Sequence, residues 1–180
     1  MLRPLLAGRK NYRTPTRLEN GSQGKQGSFL VSPGQQLPGV AGAGQGRLVM
    51  MRRVTSNQVP EPLLETWSNC KVHGDFFQIA GMVSGYENDE IAGGDDVYEQ
   101  ARLTFIKIKN LVEEAGAVMD DIIKVTIFVT DISRREEVWK ARREFFTGDF
   151  PCSTLVEVAA LARPGLAVEI EAHGFIGASK

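Results

Sequence analysis

Apolar and polar residues fall into regular patterns only from about residue 50 of this 180-residue chain. Residues 52–55 predict a short strand. Residues 70–73 and 76–83 are rich in apolar and β-branched side chains and flank the dipeptide Gly74-Asp75, which predicts a β-hairpin with a tight turn.

The segment after this hairpin has apolar residues at the three- and four-residue spacing of an amphipathic helix. Asp95 or Asp96 is expected to cap its first turn, and Gly116 is expected to end it. The residues predicted to face the core are Val97, Ala101, Phe105, Ile108 and Val112.

A second helix is predicted to begin at Ser133, because Glu136 three residues later would complete a capping box. Gly148 is expected to close this helix. Its inward stripe would consist of Val138, Ala141, Phe145 and Phe146.

Three further strands are predicted. Residues 121–130 form the clearest one, because they are rich in β-branched side chains. Residues 152–161 and 166–176 follow the second helix and are expected to pair with each other as an antiparallel hairpin. One face of the resulting sheet would pack on the two helices, which predicts an α+β domain.

The last strand alternates apolar side chains with the polar residues Glu169, Glu171 and His173. Successive side chains of a strand point to opposite faces, so one face of the hairpin should meet the helices and the other should carry these polar groups. Antiparallel pairing would place Glu157 opposite Glu169 and Ser153 opposite His173.

Two interpretations of this second face stay open. It could simply meet water, as one face of an antiparallel sheet often does. However, it would also carry Leu155, Leu161 and Phe175, and its facing carboxylates would repel each other unless a cation such as Lys124 neutralised them. These features favour a subunit interface that contains a cleft.

Charge and glycine divide the chain into two parts. Residues 1–59 hold nine of the 21 basic residues and one of the 22 acids, which leaves 12 basic residues and 21 acids, a balance of −9, in residues 60–180. Nine of the 19 glycines precede residue 47. Residues 1–48 are therefore predicted to be a flexible basic tail, since they have too few large apolar side chains to offset the entropy of ordering them, and residues 50–180 are predicted to be the folded domain.

Three origins of this tail are compatible with its composition. The apolar stretch at residues 5–7 is short for a secretory signal. The Arg-rich, acid-poor start fits an organellar presequence loosely, but Pro4, Gly8 and Pro15 would interrupt a long amphipathic helix. The third origin is a non-native extension ahead of a natural start at Met50 or Met51.

Composition also argues against several classes of protein. No apolar run is long enough to span a membrane, and a cytoplasmic location is expected. Two cysteines, Cys70 and Cys152, and only two histidines argue against a disulfide scaffold or a metal site. The balance of −9 argues against nucleic-acid binding, which requires a basic surface.

The closing strands contain a recognisable signature, FPCSTLVEVAAL at 150–161 followed by VEIEA at 168–172. It resembles that of the Rid/YjgF family of reactive-intermediate deaminases, which is also called endoribonuclease L-PSP. The motifs IAG at 79–81 and DIIKVTIFVTD at 121–131 agree with this, and the resemblance covers about residues 65–176.

The resemblance implies a chorismate-mutase-like α+β fold with two helices on one face of a mixed sheet. It also implies a homotrimer with clefts between subunits, and hydrolysis of small imines or enamines to a keto acid and ammonia without a metal or cofactor. The implied partners are a small-molecule substrate and further copies of the chain, with no nucleic acid and no membrane. An imine carbon is already electrophilic, so such a site must hold the substrate, orient a water and manage protons.

Three residues match cleft positions of the family. Glu169 stands where a glutamate orients the water, and it is the candidate catalytic residue. Trp67 stands where an aromatic residue, usually tyrosine, closes the cleft. Gly81 is expected to permit close approach of the backbone.

Three other positions depart from the family pattern. Ser153 replaces an arginine that clamps the substrate carboxylate, Leu155 replaces a frequent cysteine, and Trp139 replaces an asparagine of the second helix. Losing a bidentate clamp weakens binding of a buried carboxylate substantially. Another cation, such as Arg163 or Arg143, would have to substitute for it, or the substrate would have to differ.

Two functions therefore stay open. The first is a hydrolase for a small imine, enamine or related unstable metabolite, with altered substrate binding. The second is a non-catalytic trimer that binds a small metabolite as a sensor or scavenger.

Overall fold

Six strands form one mixed sheet, and two helices pack on it, in a computed structural model that describes residues 50–87 and 90–180. The tail predicted at residues 1–48 lies outside the described residues. In chain order, the strands of the sheet and the helices are β1 (Arg52–Val54), β2 (Cys70–His73), β3 (Phe76–Val83), α1 (Val97–Ala115), β6 (Ile122–Val129), α2 (Arg135–Arg142), β7 (Cys152–Glu157) and β8 (Val168–Phe175). Two short strands between β3 and α1, β4 (Tyr86–Glu87) and β5 (Glu90–Ile91), form a separate ribbon.

The strand order is β1-β2-β3-β8-β6-β7, and every neighbouring pair is antiparallel except β6 and β7, which are parallel. The hairpin at Gly74-Asp75 is confirmed, and Gly74 adopts the positive φ of 62° that its turn requires. The expected mixed sheet with two helices on one face is also confirmed.

The predicted pairing of the last two strands is wrong, because β6 lies between β7 and β8. The chain leaves β6, passes through α2 and returns as the parallel β7, as a crossover connection allows. In this register Ser153 lies beside Val125, and Glu157 lies beside Val129. Ser153 and Glu157 therefore do not pair with the last strand, contrary to the sequence prediction.

The core lies between the sheet and the helices. The predicted stripe of α1 is confirmed, since its residues are all buried. Val138 and Ala141 are buried on the second helix, and Phe145 and Phe146, which follow the end of that helix, are partly buried and buried respectively. Fully buried residues of the sheet, such as Phe77, Ile79, Ile127 and Ile170, complete this core. Burial of such large side chains contributes roughly 1.5–3 kcal/mol each to the stability of the fold.

The ends of α1 agree with the sequence prediction, whereas the ends of α2 differ from it. Asp96 caps α1 by accepting from the Glu99 N–H at 3.1 Å, and Gly116 ends α1 with a φ of 91°. The predicted capping box at Ser133 is wrong, because Asp131 instead caps a short 3-10 turn that precedes α2. The second helix ends at Arg142 rather than at Gly148.

The face of the sheet away from the helices carries both apolar and polar side chains, as expected. Phe76 packs on Phe175 and His173, with ring centroids 5.4 and 6.0 Å apart, and Phe175 is 45% exposed. Lys124 donates to the Thr154 hydroxyl on this face and not to the carboxylates that it was expected to neutralise.

Residues of β7 occupy faces opposite to those predicted. Leu155 packs against the core, while Val156 points to the face away from the helices, where it is 40% exposed. Leu161 lies in the connection after β7, outside the sheet. Apolar residues of the open face therefore include Phe76, Val83, Phe128, Val156 and Phe175.

Candidate functional site

The Glu169 side chain lies directly over the backbone of Gly81. Glu169 is on β8 and Gly81 is on the neighbouring β3, within an irregularity of their pairing between Ile79 and Met82. A Cβ at residue 81 would overlap the Glu169 carboxylate, since it would lie 2.8 Å from the carboxylate carbon. The glycine therefore provides the space that this carboxylate occupies, as the sequence led us to expect of a close approach.

The surroundings of Glu169 favour proton transfer. Burial, with a further contribution from the charge of Glu171, raises the pKa of the Glu169 carboxyl above its ordinary value. Among the described residues, no hydrogen bond or ion pair engages its oxygens. A half-buried carboxylate with free oxygens can accept a hydrogen bond from water and take up a proton.

Trp67 projects from the loop between β1 and β2 and is 58% exposed. Its indole N–H donates to Asn69 Oδ1 at 3.3 Å. Asn69 is buried and in turn donates to the Pro60 carbonyl at 3.0 Å, which fixes its orientation. Asn69 is thus a positioning residue that the sequence did not identify, because nothing in its local pattern distinguishes it from a polar loop residue.

Two cavities share Trp67 as part of their wall. One, of about 450 Å³, is also lined by Arg53, Lys71 and Gln78. The other, of about 330 Å³, is lined by Pro60, Asn69, Gly81, Met82 and Lys107 among others. The second cavity is lined in part by Gly81, against whose backbone the Glu169 carboxylate lies, although Glu169 itself is not among the lining residues.

Lys107 was not identified from the sequence either. It lies on α1, and its ammonium donates to the Val83 carbonyl at 3.1 Å, at the end of β3. Burial lowers the pKa of Lys107 below that of an ordinary lysine. The sequence offered one indication of this position. Lys107 precedes the buried Ile108, so it lies at the edge of the stripe of α1 that faces the core.

The remaining candidate residues lie at the opposite edge of the sheet. Ser153 is exposed on β7, which is the edge strand, and Leu155 follows it on the same face. Trp139 is half-buried on α2, with the Arg135 guanidinium 5.8 Å from its ring centroid.

One chain therefore does not bring all six candidate residues together. Trp67, Gly81 and Glu169 form one group, whereas Ser153 and Leu155 lie two strands from Glu169, about 10 Å away, beyond β6, and Trp139 lies on α2. The expectation that Ser153 and Glu169 share a face is wrong, because Ser153 aligns with the buried Val125 and Glu169 aligns with Phe128 on the other face.

Other groups that the sequence offered lie apart from Glu169. Arg163 lines a different cavity, of about 390 Å³, in the connection before β8, and Arg143 is exposed after α2. Cys152 is exposed on β7. Cys70 is buried, which raises its pKa to about 11 and leaves it a poor nucleophile.

Two other features are absent from residues 50–87 and 90–180, a metal-binding cluster and a membrane-spanning helix. No group of three or more His, Cys, Asp or Glu side chains in these ranges could hold a metal ion. Within the same ranges, no helix is both long enough and apolar enough to cross a membrane.

Comparison with known proteins agrees with the motifs. The family model described as endoribonuclease L-PSP matches residues 58–176. A RutC family protein of Pyrococcus abyssi is 32% identical over 68% of this chain and 94% of its own length. A 2-iminobutanoate/2-iminopropanoate deaminase of Dermatophagoides farinae is 28% identical over 67% of this chain and 92% of its own length.

Solved structures agree as well. A Mycobacterium tuberculosis protein described as a member of the YjgF/YER057c/UK114 family is 32% identical, with a TM-score of 0.60, over 71% of this chain and all of its own. A Pseudomonas aeruginosa protein described as being of unknown function is 31% identical, with a TM-score of 0.66, over 72% of this chain and 95% of its own. The chain therefore belongs to the endoribonuclease L-PSP family, the Rid/YjgF family that its closing strands resemble.

Proposed function

We propose that this protein hydrolyses a small imine or enamine metabolite to a carbonyl compound and ammonia. The observation that carries the proposal is the Glu169 carboxylate, which lies half-buried over Gly81 with no hydrogen-bond or ion-pair partner among the described residues. Gly81 also lines a cavity that is walled by Trp67. The name of the Dermatophagoides relative, a 2-iminobutanoate/2-iminopropanoate deaminase, supports this class of substrate.

Glu169 would act on the water in the proposed reaction. Its carboxylate accepts a hydrogen bond from a water, which attacks the electrophilic imine carbon while the proton passes to Glu169. The new C–O bond replaces the C=N π bond, and Glu169 passes the proton on to the nitrogen, which gives the neutral carbinolamine. In the collapse Glu169 takes the hydroxyl proton as C=O forms and gives it to the leaving nitrogen, so that the C–N bond breaks, ammonia leaves and the carboxylate is regenerated.

The site is proposed to be completed by a second copy of the chain in a homotrimer. The open sheet face carries half-exposed apolar side chains, including Phe175 and Val156, which water would otherwise cover. Ser153 lies on the edge strand β7, two strands away from Glu169 of its own chain. A neighbouring subunit is the arrangement that could bring such an edge to the cavity at Trp67.

The test is the formation of 2-oxobutanoate and ammonia from freshly generated 2-iminobutanoate, compared with the uncatalysed rate. Glu169→Gln should lose at least about 100-fold in kcat, because the amide cannot take up the proton. The matched control, Glu171→Gln, removes a carboxylate two residues away on the same face and should keep most of the activity. Because the pKa of Glu169 is raised, activity should fall on acidification at a pH above the ordinary 4.5 of a glutamate.

A second candidate function follows from Ser153. Without an arginine at this position, the protein could bind a small metabolite without turning it over. Binding of 2-oxobutanoate with no acceleration over the uncatalysed rate would favour this function over hydrolysis. Ser153→Arg tests the missing charge directly, since activity that appears only in this variant would assign the difference to that position.

A further inference from the structure

We propose that Lys107 binds the carboxylate of the substrate in the cavity between Trp67 and the end of β3. This proposal rests on the proposed hydrolase function and names a residue that supplies the charge absent at Ser153. The ligand class that it implies is a small monocarboxylate with a short apolar side chain.

The position of the Lys107 ammonium carries the proposal. Its Nζ donates to the Val83 carbonyl at 3.1 Å, and it lies against Gly85, where any Cβ would overlap it. Both contacts are with the backbone at the end of β3, where the lysine side chain arrives from α1. These contacts hold the ammonium at the wall of the cavity, at the end of the sheet.

The bonding of this ammonium is incomplete within the part of the chain that the structure describes. An ammonium has three N–H donors, and the contacts described here use one of them. No carboxylate whose side chain the structure describes, which excludes those of residues 86–89, lies within ion-pair distance. Burial lowers the pKa of Lys107. A half-buried cation of this kind gains most from an anion that enters the cavity beside it.

The other cations near Trp67 are less suited to this role. Arg53 is already paired with Glu61, so its charge is compensated. Lys71 is exposed on the other cavity, where water screens its charge. Lys107 is the basic residue that lines the same cavity as Gly81, on which the Glu169 carboxylate lies.

The other walls of the cavity define the ligand. Val59, Pro60 and Met82 offer apolar contacts, and Trp67 covers one side. A volume of about 330 Å³ accommodates an acid of a few carbon atoms. A carboxylate held at Lys107 would lie in the cavity that Gly81 also lines, and Gly81 is the residue against which the Glu169 carboxylate lies.

The experiment uses 2-oxobutanoate, a stable keto acid, and measures its affinity for the full chain by calorimetry. Lys107→Met should weaken binding at least tenfold, whereas Lys107→Arg, which keeps the charge, should recover a large part of it. The matched control is Lys71→Met, which removes an exposed lysine on the neighbouring cavity and should change the affinity less than twofold. Equal affinity in wild type and Lys107→Met, or an equal loss in Lys71→Met, would overturn the proposal.

A second measurement guards against a variant that fails to fold. In wild-type protein whose lysines carry ¹³C-methyl groups, the Lys107 resonance, assigned by its absence in Lys107→Arg, should shift when 2-oxobutanoate is added. A shift confined to other lysines would also overturn the proposal.

The two proposals fail in distinguishable ways. If imine hydrolysis is absent but 2-oxobutanoate binds in a Lys107-dependent manner, the binding site stands and the hydrolase function fails. If hydrolysis is efficient and Lys107→Met leaves KM unchanged, the hydrolase function stands and the role of Lys107 fails. If both stand, Lys107→Met should raise KM by about the same factor as it weakens binding.

Discussion

A single missing side chain, at residue 81, decides where the Glu169 carboxylate can lie. The two residues sit on adjacent strands, and a Cβ at residue 81 would overlap the carboxylate. Such an overlap can be relieved only by moving the glutamate, because the alternative is to shift the backbone of the central strand. The location of the proposed catalytic carboxylate is therefore set by a residue that has no side chain to take part in the chemistry.

Gly81→Ala should consequently reduce kcat for imine hydrolysis by at least about tenfold, since a small misplacement of a proton acceptor costs that much or more. Gly148→Ala is the control, because a Cβ at that glycine would meet no other atom within 4 Å. Rates should be measured for both variants after circular dichroism shows that they are folded. Full activity in Gly81→Ala would mean that Glu169 works from a different position.

Among the elements, the short 3-10 turn Met119–Asp121 ties the end of the chain to the start of β6. The buried Asp121 accepts from the backbone N–H groups of Gly177 at 3.0 Å and Ser179 at 2.8 Å, and from the Ser179 hydroxyl at 2.8 Å. It also accepts from the Val118 N–H at 3.1 Å. Although burial alone would raise its pKa, these hydrogen bonds outweigh that effect and lower the pKa of Asp121 to about 2.

Asp121→Asn should destabilise the fold by about 2 kcal/mol. The amide keeps one acceptor oxygen, but its NH2 group would face the N–H and O–H donors of residues 177 and 179 that the carboxylate accepts from. Since the folded pKa lies below the ordinary 3.8, the ionised carboxylate stabilises the fold above pH 4, and this contribution is lost as the pH falls towards 2. Urea unfolding at pH 7 and at pH 3 measures both effects. The exposed Asp149→Asn is the control, and equal stabilities of the two variants at pH 7 would contradict the role of Asp121.

The elements also show what periodicity can and cannot predict. The stripe of α1, its caps and the limits of β3 were predictable, because each depends on residues close together in sequence. The order of β6, β7 and β8 was not, since alternation shows which side chains share a face but not which strand is the neighbour. That error placed Ser153 and Glu169 on one face and concealed that they lie on opposite faces.

Within the candidate site, the residues found from the sequence were those with a motif. Glu169 and Gly81 belong to short signatures, and the structure brings them together. Lys107 and Asn69 belong to none, and their importance depends on contacts with Val83 and Trp67 that are distant or irregular in sequence. A lysine on a helix is ordinarily solvated, so only the fold could show that this one reaches a cavity.

For the whole molecule, the open face of the sheet is the feature that calls for a partner. Phe76, Phe175 and His173 form an aromatic cluster on it, and Phe175 is 45% exposed. The helices cover only the opposite face, so within one chain this surface meets water. Assembly into a trimer would bury it and would bring the β7 edge of one subunit towards the site of another.

Phe175→Asp should therefore weaken assembly and, with it, imine hydrolysis, because a charge in an apolar contact between subunits is costly to bury. Sedimentation of the wild-type chain should give three times the monomer mass, whereas the variant should shift to the monomer at micromolar concentrations. Val118→Asp is the control, since Val118 is 48% exposed at the end of α1, away from this face, and should leave the assembly intact. A wild-type chain that sediments as a stable monomer with full activity would show that the cavity at Trp67 needs no second subunit, whereas a monomeric, folded and inactive Phe175→Asp variant would support a site completed between subunits.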